Sequence, residues 1–285
     1  MIHDVTLPRL KLGLIGGNIR ASRSPALHEA AGRINGVAAT YDLLIPAEMG
    51  MSFDEVLAFC AAEGYRGVNV TYPFKEAVVP SVRVRDPHLA RLGAVNTVVF
   101  GPEGPEGFNT DYTGFAAAYR ARFGAVAPGR VALIGTGGVG RAIAFALVRL
   151  GARELRLVDR DASKLAALAG ALAGEGAPLV TIHDTVEAAV ADADGVVNAT
   201  PVGMVGHEGT PVPATLWPGR RWAFDAVYTP VNTRFTQDAA AAGVDVLSGW
   251  ELFFHQGIDA FAHFNGTPVA DPGRLRAELL ALPGD

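Results

Sequence analysis

Lys75 is the side chain whose type and position best suit proton transfer. The chain contains only three lysines, Lys11, Lys75 and Lys164. Lys75 follows a predicted strand at 67–71 and a turn containing Pro73, so a stiff segment should hold its amine in one place. An arginine keeps its proton at any ordinary pH, whereas burial and neighbouring charges can tune an amine. We predict that Lys75 is a general acid/base, with a solvated surface charge as the alternative.

Four more polar side chains are candidates for binding a ligand or for proton transfer. Asp111 follows a predicted strand and could instead cap the next helix. Asn96 lies inside an apolar stretch predicted as a strand, where an amide without partners would be costly. Ser22 and Ser24 stand two residues apart just before a predicted helix, which suits a carboxylate ligand. Taken alone, Ser24 could equally be an N-cap.

A glycine-rich turn follows the predicted strand at 131–134. Its G-x-G-x-x-G spacing is formed by Gly135, Thr136, Gly137, Gly138, Val139 and Gly140. Glycines in this pattern allow a tight turn, a close approach to a pyrophosphate and close helix–strand packing, while the helix N-terminus offers N–H donors. The turn therefore predicts dinucleotide binding. The alternative is an ordinary strand–turn–helix.

Asp159 ends the next predicted strand, 24 residues beyond Gly135. An acidic side chain there can accept hydrogen bonds from an adenosine ribose and repels a 2′-phosphate, which favours NAD over NADP. The neighbouring Arg160 leaves NADP as an alternative, because a guanidinium could bind the extra phosphate, stack over adenine or face water. Lys164 could reach the same ribose or be solvated.

Short apolar runs of strand type alternate with Ala/Leu-rich stretches at helical spacing, which is typical of an α/β fold with largely parallel sheets. The first half is predicted to hold strands at 12–16, 41–45 and 67–71, a hairpin from 94–100 and 107–109, and helices from residue 25 and at 53–62. The second series is predicted to hold a helix at 113–122, strands at 131–134, 154–158, 179–182, 195–198, 222–225 and 244–246, and closing helices at 250–264 and 273–282.

The 285 residues exceed the size at which single cores usually stop growing, so we expect two domains. A net charge of −5 without a Lys/Arg run argues against nucleic acid and anionic membranes as partners. The lone Cys60 excludes an internal disulfide, and its apolar neighbours predict a buried side chain. With no signal-peptide or membrane-span pattern, we expect a cytoplasmic protein with a small-molecule substrate.

Taken together in chain order, these motifs closely resemble the shikimate dehydrogenase family over essentially the whole sequence. The matching segments are 13–16, 22–25, Asn69-Val-Thr-Tyr-Pro-Phe-Lys75, 93–97, 109–111, the glycine turn, Asn198-Ala-Thr-Pro-Val-Gly-Met204 and Gln256. Segments 24–30 and 194–200 point to the NAD-dependent quinate/shikimate dehydrogenase branch.

The resemblance implies an N-terminal α/β substrate domain at 1–112, completed by helices at 248–285, and a Rossmann-type doubly wound dinucleotide-binding domain at 113–247. It implies that Lys75 and Asp111 form the catalytic pair and that Ser22 and Ser24 hold the substrate carboxylate. Further implied substrate contacts are Thr71, Asn96, Tyr228 and Gln256, with a packed aromatic as the alternative for Tyr228. Further implied cofactor contacts are Thr200, Pro201, Val202, Met204, Val227 and Gly249.

The implied reaction is NAD(P)-dependent interconversion of shikimate and 3-dehydroshikimate, with quinate and 3-dehydroquinate as a second pair. Lys75 would take the hydroxyl proton as a neutral amine during oxidation and return it during reduction, while Asp111 would orient the amine. The alternatives are a strictly NADP-dependent biosynthetic enzyme, an aminoshikimate-type enzyme and a non-catalytic metabolite sensor. No metal site is predicted, and a homodimer is one alternative for the assembly.

The sequence departs from its relatives at three places. Relatives committed to NADP commonly have Asn-Arg-Thr where this chain has Asp159-Arg160-Asp161, which favours NAD. Quinate users often have Thr where this chain has Ser24, which weakens the quinate assignment without removing it. The segment 248–251 is less glycine-rich than is usual, and a change in cofactor closure is the expected consequence.

Overall fold

The computed structural model describes residues 9–174 and 177–282. The chain divides into two compact units, with unit 1 formed by residues up to 110 together with 256–284, and unit 2 by residues 111–255. The divisions fall inside two helices rather than in linkers. The predicted boundaries of the substrate and dinucleotide domains, at 112/113 and 247/248, stay predictions.

Unit 1 is built on a five-stranded mixed sheet of order β2-β1-β3-β4-β5. Strands β1, β2 and β3 are parallel, whereas β4 and β5 form an antiparallel hairpin beside β3. Its elements are β1 Arg9–Ile15, α1 Ser24–Ile34, β2 Ala38–Leu44, α2 Pro46–Met49, α3 Phe53–Ala62, β3 Gly67–Val70, α4 Pro87–Leu92, β4 Thr97–Gly101 and β5 Gly104–Phe108. Helix α5, Thr110–Phe123, then leads into unit 2.

Unit 2 contains six parallel strands of order β11-β10-β9-β6-β7-β8. Its elements are β6 Arg130–Ile134, α6 Gly138–Arg149, β7 Glu154–Val158, α7 Ala162–Leu172, β8 Leu179–Ile182, α8 Val186–Val190, β9 Gly195–Asn198, β10 Trp222–Asp225, α9 Arg234–Ala241 and β11 Asp245–Leu247. Helices α10, Gly249–Asn265, and α11, Pro272–Leu280, follow. The order reverses between β6 and β9, as in a doubly wound Rossmann-type sheet.

Apolar strand residues explain why each sheet is buried. In unit 2, β6, β9 and β10 are near-continuous apolar runs, as expected for parallel strands covered on both faces. One core cluster, centred on Leu133 and Leu147, lies on one face, and a second, centred on Trp217 and Phe235, lies on the other. Unit 1 has its own core, in which Cys60 is buried as predicted.

The α/β class, the parallel sheets and most elements are confirmed, but several local details differ from the prediction. Helices α2 and α4 were missed, because four- and six-residue helices carry little periodicity; α4 is defined by its Asp86 N-cap and by Gly93 in the left-handed region at φ 68°. The hairpin strands are shifted to 97–101 and 104–108. No helix among the described residues combines the length and apolarity needed to span a bilayer.

Candidate functional site

The two predicted carboxylate-binding serines are neighbours at the start of α1. Ser22 Oγ donates to Ser24 Oγ at 3.1 Å and accepts from the Ser24 backbone N–H at 3.2 Å. Ser24 is the first helical residue and not the N-cap, a place taken by Arg23 without a side-chain hydrogen bond. Two hydroxyls therefore lie beside the positive end of a helix, an arrangement that suits an anion.

Asn96 is buried, but it stands just before β4 rather than inside a strand, which corrects the sequence prediction. Its Oδ1 accepts from the Thr110 backbone N–H at 2.7 Å and from Thr97 Oγ1 at 3.0 Å. Its Nδ2 donates to Thr110 Oγ1 at 3.0 Å. An amide nitrogen carries two N–H donors, so these contacts fix the amide with its nitrogen side able to donate once more.

Thr110 connects Asn96 to Gln256. Thr110 Oγ1 lies 3.3 Å from Gln256 Oε1, so the two predicted substrate-binding amides share one threonine. Thr71 follows β3, where its backbone N–H donates to Ile15 O at 2.9 Å and its methyl group packs so closely that a Cβ on Gly16 would lie 2.4 Å from it. The structure thus brings Asn96, Thr110 and Gln256 together in unit 1 and places Thr71 at the end of β3, in close contact with Gly16.

A second polar layer, which the sequence reasoning missed, supports this cluster. Asn69 Nδ2 donates to Asn96 O at 3.2 Å and to Thr97 Oγ1 at 3.0 Å, and its Oδ1 accepts from the Tyr41 hydroxyl at 2.8 Å. His28 stacks on the Tyr41 ring at 4.7 Å. Burial lowers the pKa of His28 to about 3 despite a hydrogen bond with Asn69, so the imidazole is neutral. A lone His or Tyr carries no sequence signal for such a role.

Lys75 and Asp111 belong to different units. Lys75 lies half-buried in the turn after β3, and its carbonyl accepts from the Val95 N–H at 2.8 Å. The residue after Val95 is Asn96, whose side chain binds the backbone of Thr110, the residue before Asp111. Asp111 is buried in the first turn of α5, where the helix dipole favours a carboxylate. The pair itself stays a prediction.

The glycine turn of unit 2 has the geometry that a pyrophosphate requires. Gly135 has φ 93°, and a Cβ on it would lie 2.8 Å from Ala199 O. A Cβ on Gly140 would lie 2.1 Å from Gly135 O, so the helix can approach the strand only without a side chain. By contrast, a Cβ on Gly137 would meet nothing within 4 Å, which leaves open space before the N-terminus of α6. The turn thus fits a dinucleotide.

Asp159 is held against this turn by Thr136. Its Oδ2 accepts from the Thr136 N–H at 2.6 Å and from Thr136 Oγ1 at 2.8 Å, and its Oδ1 accepts from the Asp161 N–H at 3.0 Å. Burial raises the pKa of Asp159, but hydrogen bonds to its carboxylate outweigh this and leave the pKa below the usual value. Arg160 and Lys164 are exposed, and Lys164 lies in the first turn of α7. A fixed anion therefore stands at the predicted ribose position.

The other predicted cofactor contacts cluster at the carboxyl ends of β9 and β10. Thr200, Val202 and Met204 are half-buried in the loop after β9, and Pro201 is exposed. Val227 is buried after β10, and a Cβ on Gly249 would lie 2.7 Å from Val227 O. Tyr228 stacks on Phe253 at 5.1 Å. This stacking gives Tyr228 a packing role, whereas substrate contact stays a prediction.

The comparisons with known proteins agree over the length of the chain. Residues 14–98 match the shikimate dehydrogenase substrate binding domain, and residues 130–207 match a family described as NADP oxidoreductase coenzyme F420-dependent. A relative from Corynebacterium efficiens, named quinate/shikimate dehydrogenase (NAD(+)), is 41% identical and covers 99% of this chain and 100% of its own.

Two solved structures are similar over nearly the whole chain. Quinate dehydrogenase from Corynebacterium glutamicum in complex with NAD has a TM-score of 0.87 and 37% identity, covering 96% of this chain and 100% of its own. Shikimate 5-dehydrogenase from Thermus thermophilus in complex with NADP(H) and shikimate has a TM-score of 0.82 and 33% identity, covering 95% and 98%. Full-length identity of this order, on the same fold and motifs, shows that the chain belongs to the shikimate dehydrogenase family.

Proposed function

We propose that this chain is an NAD-preferring dehydrogenase that interconverts shikimate and 3-dehydroshikimate, and also quinate and 3-dehydroquinate. The observation that carries the cofactor part is the open space at Gly137 beside the anion of Asp159. An ionised carboxylate at that position accepts hydrogen bonds from a ribose and opposes a 2′-phosphate. The relative named for quinate, shikimate and NAD(+) supports the same assignment.

The polar groups of unit 1 suit a small carboxylated ring with several hydroxyls. In the proposal, the Ser22 and Ser24 hydroxyls bind the carboxylate, and Thr71, Asn96 and Gln256 bind the ring hydroxyls. The side-chain amide oxygens of Asn96 and Gln256 already accept from Thr110. Asn96 Nδ2 uses one N–H on Thr110 Oγ1, so its second N–H can donate to the ring. Binding by neutral donors on a buried network fixes the ring orientation, which is a large part of what catalysis requires.

When bound, the nicotinamide ring supplies the hydride acceptor for oxidation and the hydride donor for reduction. Lys75 handles the proton: as a neutral amine it takes the hydroxyl proton while the carbinol carbon loses its hydride, and as an ammonium it returns that proton in the reverse direction. Asp111 orients the amine and stabilises its charged form. Tyr228 is proposed as a further residue that contacts the substrate.

In the cofactor part of the proposal, the glycine turn binds the pyrophosphate and Asp159 binds the adenosine ribose, with Arg160 and Lys164 at its edge. In a doubly wound sheet the second mononucleotide is bound by the second half of the strands. The segment 200–204, Val227 and Gly249 are therefore assigned to the nicotinamide side.

The alternative is a strictly NADP-dependent biosynthetic enzyme. Two observations favour testing it: Arg160 is exposed, and the similar Thermus thermophilus enzyme forms a complex with NADP(H). Steady-state kinetics with shikimate and quinate, each with NAD and NADP, separate the possibilities. The proposal expects the highest kcat/KM with NAD. Equal or reversed cofactor preference would refute NAD selectivity, and no turnover with any combination would favour a non-catalytic metabolite sensor.

Two further parts of the proposal concern the molecule in the cell. We place the enzyme in the cytoplasm, which agrees with a single, buried, unpaired cysteine. We also take a homodimer as the working assembly, to be tested by analytical ultracentrifugation.

A further inference from the structure

Asp225 is a buried carboxylate for which the predicted site has no use. It ends β10, where it is paired in register with Asn198 at the end of the neighbouring β9. Both side chains have no exposed surface. They lie at the carboxyl ends of adjacent parallel strands, which is where ligands bind in sheets of this kind.

The Asp225 carboxylate connects three segments of unit 2. Its Oδ1 accepts from Asn198 Nδ2 at 2.9 Å and from the Val227 N–H at 3.1 Å. Its Oδ2 accepts from Thr233 Oγ1 at 2.5 Å. Thr233 is in turn the N-cap of α9, so one carboxylate ties the end of β9, the segment after β10 and the start of α9 together.

Asn198 extends this connection into the loop after β9. Its Nδ2 also donates to Val202 O at 3.0 Å, and its Oδ1 accepts from the Thr200 N–H at 3.0 Å and from Thr200 Oγ1 at 2.6 Å. Every polar atom of the Asn198 side chain is therefore used to hold the loop on one side and Asp225 on the other. The loop residues it holds are those assigned to the nicotinamide side.

Helix α10 starts against the same backbone. A Cβ on Gly249 would lie 2.7 Å from the carbonyl oxygens of Asp225 and Val227 and 2.8 Å from that of Ala226. A side chain at 249 could not fit there without moving that backbone. All three groups of nicotinamide-side positions thus depend on where residues 225–227 lie.

Burying an ionised carboxylate at this position costs folding free energy. Among the described residues, no Lys, Arg or His forms an ion pair with Asp225, so its charge is balanced only by neutral donors. Burial raises the pKa of Asp225 to about 6, although its three hydrogen bonds act in the opposite direction. If this position contributed only to stability, an apolar residue would serve better than a buried carboxylate without an ion-pair partner.

We propose that Asp225, acting through Asn198 and the Val227 N–H, is the positioning residue of the nicotinamide half of the dinucleotide site. It touches neither substrate nor cofactor, and it sets the backbone of 200–204 and 227. The inference rests on the proposed function, which assigns these residues to the nicotinamide side. It predicts that losing Asp225 affects the nicotinamide half of the cofactor and spares the adenosine half.

The test compares the binding of NAD⁺ and of ADP-ribose, which lacks the nicotinamide ring, by calorimetry on the full chain. D225A leaves buried donors unpaired and should weaken NAD⁺ binding about tenfold or more, with ADP-ribose binding changed less than about twofold. D225N should restore most of the NAD⁺ affinity, because the amide oxygen can replace Oδ1 and the Thr233 hydroxyl can turn to accept from the amide nitrogen. In turnover, D225A should lower kcat as well as raise the KM for NAD⁺.

Two further variants keep the test decisive. T233V removes one donor to Asp225 together with the capping acceptor for the Thr236 N–H, and it leaves the Asn198 and Val227 donors in place. It is a milder change than D225A, so it should fold where D225A does not and should weaken NAD⁺ binding selectively but less. D245N removes an exposed carboxylate at the start of β11, which pairs with Arg122, and should leave both ligands unaffected. Equal losses for NAD⁺ and ADP-ribose in D225A, or in T233V where D225A does not fold, would overturn the inference, as would wild-type affinity in D225A. A wild-type protein that binds neither ligand would overturn the proposed function with it.

Discussion

The candidate sites of the two units differ in which groups form them: backbone in unit 2 and side chains in unit 1. In unit 2 the glycine turn, the candidate dinucleotide site, is made of backbone, because Gly135, Gly137 and Gly140 leave room through the absence of a side chain. In unit 1 the candidate substrate site is made of side chains, since Asn96, Thr110 and Gln256 hold one another through amide and hydroxyl groups. A backbone site needs only a local run of residues. A side-chain site needs residues that are 146 positions apart, such as Thr110 and Gln256.

The units also differ in how they treat charge. The hydrogen-bonded polar cluster described in unit 1 consists of neutral side chains, including a His28 that burial keeps unprotonated. Unit 2 uses carboxylates, one at Asp159 held by Thr136 and one at Asp225 held by Asn198. A neutral network can orient a ring without attracting counterions, whereas a fixed anion can repel a phosphate at a distance. This difference predicts that mutations of the unit 1 polar cluster affect substrate binding and that mutations of Asp159 in unit 2 affect cofactor choice, whereas the proposed proton-transfer residues, Lys75 and Asp111, fall one in each unit.

The largest effect is expected from K75A. Losing the general base should reduce kcat about 10²–10⁴-fold and flatten the alkaline rise in the rate of alcohol oxidation. NAD⁺ affinity should change little, because the glycine turn belongs to the other unit. Stopped-flow and steady-state rates over a range of pH measure this, with K11A as a control for the loss of a lysine.

D111N tests the other member of the pair. It keeps the shape of the side chain but removes the charge, so it should lower kcat, since the proposed proton-transfer amine loses the carboxylate that orients it. Wild-type turnover retained in K75A or in D111N would mean that another group carries the proton.

Removing either hydroxyl of the serine pair should come next in size. S22A and S24A should each weaken the free energy of shikimate binding by about 1.5–3 kcal/mol, the range for a hydrogen bond to a charged group. The loss should appear mainly in the KM for shikimate, because the carboxylate does not change during the reaction. S81A, which removes an exposed hydroxyl of unit 1, is the matched control. An unchanged KM in both variants would contradict the assignment.

The neutral character of unit 1 can be tested through acid stability. Burial lowers the pKa of His28 from the ordinary 6.5 to about 3 in the folded state, so the native state binds fewer protons than the unfolded state between these pH values. Stability should therefore fall as pH decreases below 6.5, by about 2 kcal/mol at pH 5. In H28F this contribution should vanish, giving a flatter urea-unfolding profile over pH 5–7. H88N, at an exposed position, should keep the wild-type slope; a wild-type slope in H28F would be the contrary result.

The smallest effect is expected on cofactor choice. D159N keeps an acceptor for Thr136 but removes the charge, so the ratio of kcat/KM for NAD to that for NADP should fall about tenfold. D159A should also lower this ratio, and it should destabilise the glycine turn because Thr136 loses its acceptor. D161N, two residues further on at the N-cap of α7, should leave the ratio unchanged. Equal shifts in D159N and D161N would point to general electrostatics instead of a ribose contact.

The sequence predicted most of unit 2 because its signals are local. Apolar runs marked β6, β7, β9 and β10, and the G-x-G-x-x-G spacing located the turn before α6. The roles predicted for Gly135 and Gly140 require only a positive φ and a close backbone contact. Both are properties of a few adjacent residues, so they can be read without knowing the rest of the fold.

Other details could not be predicted from local patterns. Asn96 was placed in a strand because its neighbours are apolar, yet the strand begins one residue later. Ser24 fits an N-cap by residue type, yet Arg23 occupies that place. Asn69 and Asp225 were not singled out, since an Asn or Asp at a strand end gives no indication of which distant donors it will meet.

By itself, the sequence determined the α/β class, the order of most strands and helices, the position of the glycine turn and the family to which the chain belongs. These follow from periodicity and from runs of a few residues, in which the backbone and its nearest neighbours dominate the energy. Only the tertiary structure decided that His28, Tyr41, Asn69, Asn96 and Thr110 form one buried layer, and that Asp225 and Asn198 tie the β9 loop to the end of β10. A buried polar group must find its hydrogen-bond partners wherever the fold brings them, and those partners lie far away in the chain.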